Sequence, residues 1–229
     1  MDLAGIGRRG PRGHLLTRAV LLALALALGA CYRLGDLETA GGARVVTRVG
    51  AAQTTADTTL LLPSGLQSGD VLLLTVPVKF TADLAGWTTE GHLTSECGVT
   101  GVALRRVVDG SEGGSLDLSP LPTTGGAAVV GYRGAASFGA IYPRVFQQGL
   151  ANSFDAPIAA APGDLVFIRV FADQSAGATW TASDAFAVRA QVGSLAMFDG
   201  AVDTALSGVH LTASTAVCAM TLAEALTPG

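Results

Sequence analysis

Lysine is nearly missing from this chain. Lys79 is the one lysine in 229 residues, Lys and Arg together number 14 against 18 Asp and Glu, and the net charge is −4. Neutralising a phosphate backbone takes a basic face, so nucleic acid is not an expected partner. Charged residues amount to 14% and aromatics to 6%, which leaves few rings for stacking on sugars. The three histidines, His14, His92 and His210, have no HxxxH or HxH partner, and the three cysteines, Cys31, Cys97 and Cys218, form no CxxC pair. A zinc site or a thioredoxin-type site therefore has no local support. There is no GxSxG elbow for a Ser-His-Asp hydrolase, though a triad assembled from distant residues needs no such motif. The GxGxxG match at residues 5–10 lacks the preceding strand that a dinucleotide fold requires. These absences predict a non-catalytic protein with no cofactor and no metal.

Apolar residues are plentiful at 49%, with 30 glycines and 9 prolines. That composition predicts a large core and many turns rather than disorder. Residues 8–18 carry four arginines and no acid, and an unbroken apolar run follows from 19 to 30, ending at Cys31. Its Leu/Ala alternation reads as helix, because both residues are strong helix formers and no β-branched residue follows Val20 within it. The run falls short of the roughly 20 residues that span a bilayer, but it fits the hydrophobic region of a secretory signal. Leu28-Gly29-Ala30-Cys31 is similar to the bacterial lipobox, whose cysteine becomes a lipidated N-terminus. The alternative is a retained helix that serves as an assembly or attachment element. Residues 1–34 are thus read as a basic arm plus apolar helix, the only segment expected to meet a membrane, and 35–43 as a linker.

From residue 44 to 226 the pattern is one of short β-rich runs separated by Gly, Pro, Ser and Asp, with no amphipathic helix. Strands are expected at 44–49, 58–62, 70–78, 87–93, 101–108, 115–118 and 127–132. A second set is expected at 141–146, 153–156, 164–172, 179–181, 186–192, 194–198, 209–213 and 217–222. The fold class is all-β, an antiparallel, jelly-roll-like sandwich of two similar halves, about 44–135 and 136–226. SGDVLLLTVPV at 68–78 parallels PGDLVFIRVFA at 162–172, and the Trp87 segment parallels the Trp180 segment. In this reading Asp70, Asp164, Asp109 and Asp199 shape turns, and Trp87 and Trp180 fill the core.

Gly69-Asp70, Gly86-Trp87-Thr88, Asp109-Gly110 and Tyr132-Arg133-Gly134, followed by Gly163-Asp164, Trp180-Thr181 and Asp199-Gly200, make a pattern that resembles a known β-sandwich module. The module belongs to minor tail and other virion proteins of actinobacterial phages, and to bacterial surface proteins. The resemblance implies a structural or surface-recognition role with no catalytic residues. A phage minor tail protein on the virion surface is the first expectation, with a host surface glycan or protein as its target. A secreted bacterial lipoprotein or adhesin held by Cys31 is the alternative.

Cys97 and Cys218 both lie in apolar surroundings. Two separate buried thiols are the plainer reading and a Cys97–Cys218 disulfide is the alternative. The acidic clusters around Asp109 and Glu112, and around Asp199 and Asp203, read as hairpin chemistry before calcium or catalysis. Tyr132, Tyr142 and the two tryptophans are the aromatics available to a glycan.

Overall fold

The computed structural model describes residues 45–79, 83–95, 97–124, 126–138, 142–143, 150–173, 177–183 and 185–229. The expected N-terminal helix, the linker, Cys31 and most of the strand expected at 141–146 lie outside the described residues. Arg44–Gly229 forms one compact unit.

Long runs such as VLLLTVP and LVFIRVFA alternate between two buried faces rather than between core and solvent. Every residue of Val71–Pro77 and Leu165–Ala172 is buried, as expected for a central strand covered on both sides. The first half contributes β1 (Thr47–Thr55), β2 (Thr59–Leu61), β3 (Val71–Pro77), β4 (Thr88–Thr94), β5 (Thr100–Val107), β6 (Ser115–Asp117) and β7 (Ala127–Arg133). The second contributes β8 (Ala135–Phe138), β9 (Tyr142–Pro143), β10 (Ala151–Ala160), β11 (Leu165–Ala172) and β12 (Trp180–Ala182), then β13 (Ala187–Val192), β14 (Leu195–Ala201), β15 (Leu206–Val217) and β16 (Ala219–Pro228).

All pairings are antiparallel. One large sheet runs β1-β7-β3-β5-β4 and the other β13-β14-β11-β16-β8, with β9 also on β16. Two small sheets, β2-β6 and β10-β15-β12, complete the set. One apolar core lies between the two large sheets, with Leu73, Tyr132, Phe167 and Met197 among its members. A second joins β2-β6 to the outer face of the first large sheet through Leu60, Leu72 and Leu104. A third joins β10-β15-β12 to the outer face of the second through Phe154, Ile168 and Trp180. The layers therefore number four. A jelly roll is a double sheet, and that finer expectation is corrected: alternation within a strand reports burial of its faces, not how many layers stack.

The two large sheets share their registers. Val71 pairs with Val107 and with Tyr132, and Leu165 pairs with Ala201 and with Leu226; each residue is 94 positions after its counterpart. The Gly-Asp turns match as well. Gly69 donates to the Val108 carbonyl and Gly163 to that of Val202, both at 2.8 Å, and both glycines have the positive φ, 91° and 95°, that such a turn demands. Asp70 and Asp164 each accept from the amide three residues earlier, at 2.7 and 2.8 Å. Asp70 also takes a two-pronged bond from Arg133, 2.8 Å on each oxygen. Burial pushes the Asp70 carboxyl up, but the Arg133 and Gln67 bonds and the Arg133 charge outweigh it and hold the group below its ordinary value.

The tryptophans are not counterparts. β4 and β13 carry equivalent bulges, Thr89/Gly91 and Val188/Ala190, and Trp87 and Phe186 stand at the same place before them. Each donates its amide to the carbonyl three residues back, Leu84 or Ser183. Trp180 lies in β12, in a different sheet, packed 5.3 Å from the Phe154 ring. The shared Trp-Thr dipeptide aligned two unrelated positions.

The layer between the large sheets holds an ionic network. Thr75 and Arg169 occupy equivalent positions on β3 and β11 and meet across the interface, with Arg169 Nε donating to Thr75 Oγ1 at 3.2 Å. The Arg169 guanidinium, fully buried, lies 3.0 Å from Glu90 and 2.7 Å from Glu224, and Arg105 lies 3.3 Å from Glu90. Tyr132 donates to Asp199 at 2.8 Å across the same interface, and Arg189 bonds the other Asp199 oxygen. The pairs Glu90–Arg105 and Arg189–Asp199 sit at matching places in the two halves with their charges exchanged. Burial, and then the Asp199 charge, drive the Tyr132 phenol far above its usual value.

Burial raises the Glu224 carboxyl from 4.5 to about 7, against the pull of Arg169. The folded chain thus holds this proton more tightly than the unfolded chain. Its contribution to stability falls as pH rises through that window, by about 2–3 kcal/mol, and is level above it. Glu224→Gln is expected to flatten the dependence of Tm on pH between 5 and 7, measured by calorimetry. An unchanged profile would show that Glu224 is ionised throughout.

Candidate functional site

Local sequence builds one polar cleft in the first half. After β3 the chain turns at Ala85-Gly86, and Gly86 has φ +79°; a Cβ there would stand 3.3 Å from Arg106 Nη1. Glycine thus lets the guanidinium lie over the turn that carries Trp87. Arg106 projects from the outer face of β5. The β5–β6 loop folds back over it through its own carboxylates. Glu112 accepts from Arg106 Nε and the Asp109 amide, each at 3.0 Å, and from the Gly110 amide at 2.9 Å. Asp109 accepts from the Ser111 amide at 2.8 Å. Burial pushes Glu112 up, and the loop amides more than offset it, leaving the carboxyl below its ordinary range.

The resulting cavity, of ≈ 280 Å³, is lined by Trp87, Arg106, Ser111, Glu112 and Ser115 over a leucine floor. Trp87 is partly buried against the β2-β6 core, and its indole N–H is buried with no acceptor among the described residues. Unpaired buried donors are rare and call for a reason. Chemically the cleft offers an aromatic wall, a guanidinium whose charge is matched by a carboxylate, and two hydroxyls.

The other expected site residues fall elsewhere. Asp70, Asp164 and Asp109 lie at turns, but Asp199 does not: it is a buried residue within β14, held by Tyr132 and Arg189. Its Asp-Gly dipeptide reads as a turn, yet Gly200 serves close packing. A Cβ there would sit 2.8 Å from the Phe186 ring. Cys97 and Cys218 form a disulfide, with Cα atoms 6.3 Å apart and a sequence separation of 121. This corrects the reading of two separate thiols. The bond ties the β4–β5 connection of one half to the β15–β16 junction of the other, beside a second cleft, of ≈ 330 Å³, that includes Lys79 and Thr100.

No family model, curated protein or solved structure matches this chain.

One constellation went unseen in the sequence. On the exposed face of the β10–β15 pair, Ser153 Oγ lies 3.3 Å from His210 Nε2, and His210 Nδ1 lies 2.8 Å from Asp155 Oδ1. The order of contacts is that of a hydrolase triad. The His210 and Asp155 side chains are 54% and 82% exposed, however, and triad catalysis draws on fixed dipoles in a site that excludes water. Ser153 and Asp155 are two apart on one strand and His210 faces Asp155 across the register, so cross-strand pairing alone accounts for the contact. His92 lies 3.7 Å from Asp83. Among the described residues no three His, Cys, Asp or Glu side chains converge as a metal site would need.

The charge network was also missed. Its signal was available: an arginine in the middle of LVFIRVFA, a run otherwise fit only for a doubly covered strand, demands a buried acid.

Proposed function

We propose that this protein is a non-catalytic, surface-displayed recognition protein that works outside the reducing cytoplasm. The observation that carries the reading is the Cys97–Cys218 disulfide. Such bonds form and persist in secreted proteins and on cell and virion surfaces, and are rare in cytosol. Together with the arginine-rich arm, the apolar run and Leu28-Gly29-Ala30-Cys31, it favours export and attachment through a lipidated Cys31. In this setting the β unit is held at the membrane face and presents its clefts to what lies outside.

The virion reading, a phage minor tail protein whose N-terminal segment packs against virion partners or itself, is supported by the Gly-Asp, Gly-Trp-Thr and Tyr-Arg-Gly pattern.

The two readings part experimentally. Under the first, Cys31→Ser releases the protein from the membrane fraction on cell fractionation. Retention of the variant in membranes would overturn the lipoprotein reading. Recovery of the chain in a protein inventory of purified phage particles, with Cys31 unmodified, would establish the virion reading in its place.

A further inference from the structure

The two halves provide an internal control for the Trp87 cleft. At the registers the large sheets share, Arg106 corresponds to Gly200 and Leu72 to Val166, and Trp87 stands where Phe186 does before the equivalent bulge. In the second half these positions belong to continuous apolar packing: Val166 is a core residue and Phe186 packs against the same core. The ring of Phe186 occupies the space above Gly200. One backbone plan thus accommodates a closed apolar filling at this place. The first half instead keeps a cavity of ≈ 280 Å³ with a charge pair, two serines and an unpaired indole N–H. Closing it with apolar side chains, as the Phe186 ring closes the place above Gly200, would serve stability better.

We propose that this cleft binds a single neutral, pyranose-sized saccharide unit. Trp87 offers an apolar wall for the C–H face of a sugar ring. The Arg106 terminal nitrogens and the hydroxyls of Ser111 and Ser115 supply the few placed polar groups that orient a ligand. Glu112 neutralises Arg106 at 3.0 Å, so the site carries no surplus positive charge and selects a polyol over a free anion. The cavity is at the small end of ligand sites, which run from about 300 Å³ upward, so it takes one ring rather than an extended chain. The inference deepens the recognition reading above and rests on it for its biological sense.

The test uses the full chain and its two indole N–H resonances, followed by NMR during titration. The probes are glucose, galactose, mannose, N-acetylglucosamine, rhamnose and arabinose, with inorganic phosphate as the charged comparison. The expected result is that at least one neutral sugar shifts the Trp87 resonance saturably, with a Kd on the order of 1 mM. Trp180, in the other half's core, stays unmoved. Arg106→Ala, and Ser115→Ala at an exposed position of β6, each weaken binding at least about tenfold. If no sugar moves Trp87 at about 50 mM, or if phosphate alone does, the proposal is wrong. Either outcome leaves the membrane release of Cys31→Ser unaffected, so failure here is distinguishable from failure of the surface reading.

Discussion

Replacing Arg169 by methionine is expected to destabilise the protein by about 3–5 kcal/mol, a loss of roughly 10 °C in Tm for a unit of this size. Methionine matches the stem of the arginine and fits among the aliphatic residues of β11, so the cost arises from charge rather than from a cavity. Arg169 bridges Glu90 and Glu224, whose side chains are 3% and 0% exposed. Without it Glu224, already raised to about 7 with the arginine in place, takes up a proton and stays as an unpaired acid buried away from water, and Glu90 keeps Arg105, itself partly exposed. The cost is a property of the broken network and not of burying polar groups as such. The combination Arg169→Met, Glu224→Leu and Glu90→Gln is accordingly expected to recover most of the loss, because well-packed apolar substitutes for a buried ion network are often neutral or better. Chemical denaturation of the single and combined variants measures both. Equal destabilisation in the two would place the cost in packing.

Removing the disulfide has the second large effect. The bond closes 121 residues, for which the chain-entropy estimate is about 5 kcal/mol, and measured losses for native disulfides run about 2–5 kcal/mol. Cys97→Ser with Cys218→Ser is expected to fall in that range. Cys218 is buried beside Ala219 and Met220 in the core, so serine there adds a buried hydroxyl to the lost cross-link. Pairing Cys97→Ser with Cys218→Ala separates the two contributions: the alanine variant is expected to be the more stable of the two double mutants. Denaturant midpoints with and without reductant check the cross-link directly. Insensitivity of the native protein to reductant would show that the bond carries little of the stability.

Much of the strand layout was legible because doubly buried strands announce themselves. VLLLTVP and LVFIRVFA are too apolar for any strand with a wet face, and Gly-Asp before each marks the turn that opens it. β10 and β15 were legible as strands but not in their length, since alternation with Ala, Ser and Thr weakens toward the ends. β8, with the sequence AASF, offered no β-branched residue and passed as a connection. The tryptophan correspondence failed because a two-residue identity was allowed to outweigh register; the bulge in β4 matches that of β13, and Phe186 does in the second half what Trp87 does in the first. Asp199 failed because Asp-Gly serves two ends: the glycine of a turn needs positive φ, whereas Gly200 is kept small by a neighbouring ring.

The candidate site was legible only in its parts. Trp87 and the acids of VDGSEGG were visible, but the cleft exists because Glu112 turns back to clamp Arg106 and the loop amides, a contact set by the third dimension. The contrast with the second half also needed the true register, 94 residues on in the large sheets, before Arg106 could be compared with Gly200.

Two packed β halves are stapled by the Cys97–Cys218 bond, and the proposed place of work outside the reducing cytoplasm rests on it. Mass spectrometry of native material, alkylated before any reductant is added and digested without reduction, tests it most directly. The account predicts one cross-linked species joining the peptides of Cys97 and Cys218, with neither cysteine alkylated. Recovery of both as separate, fully alkylated thiols would contradict it.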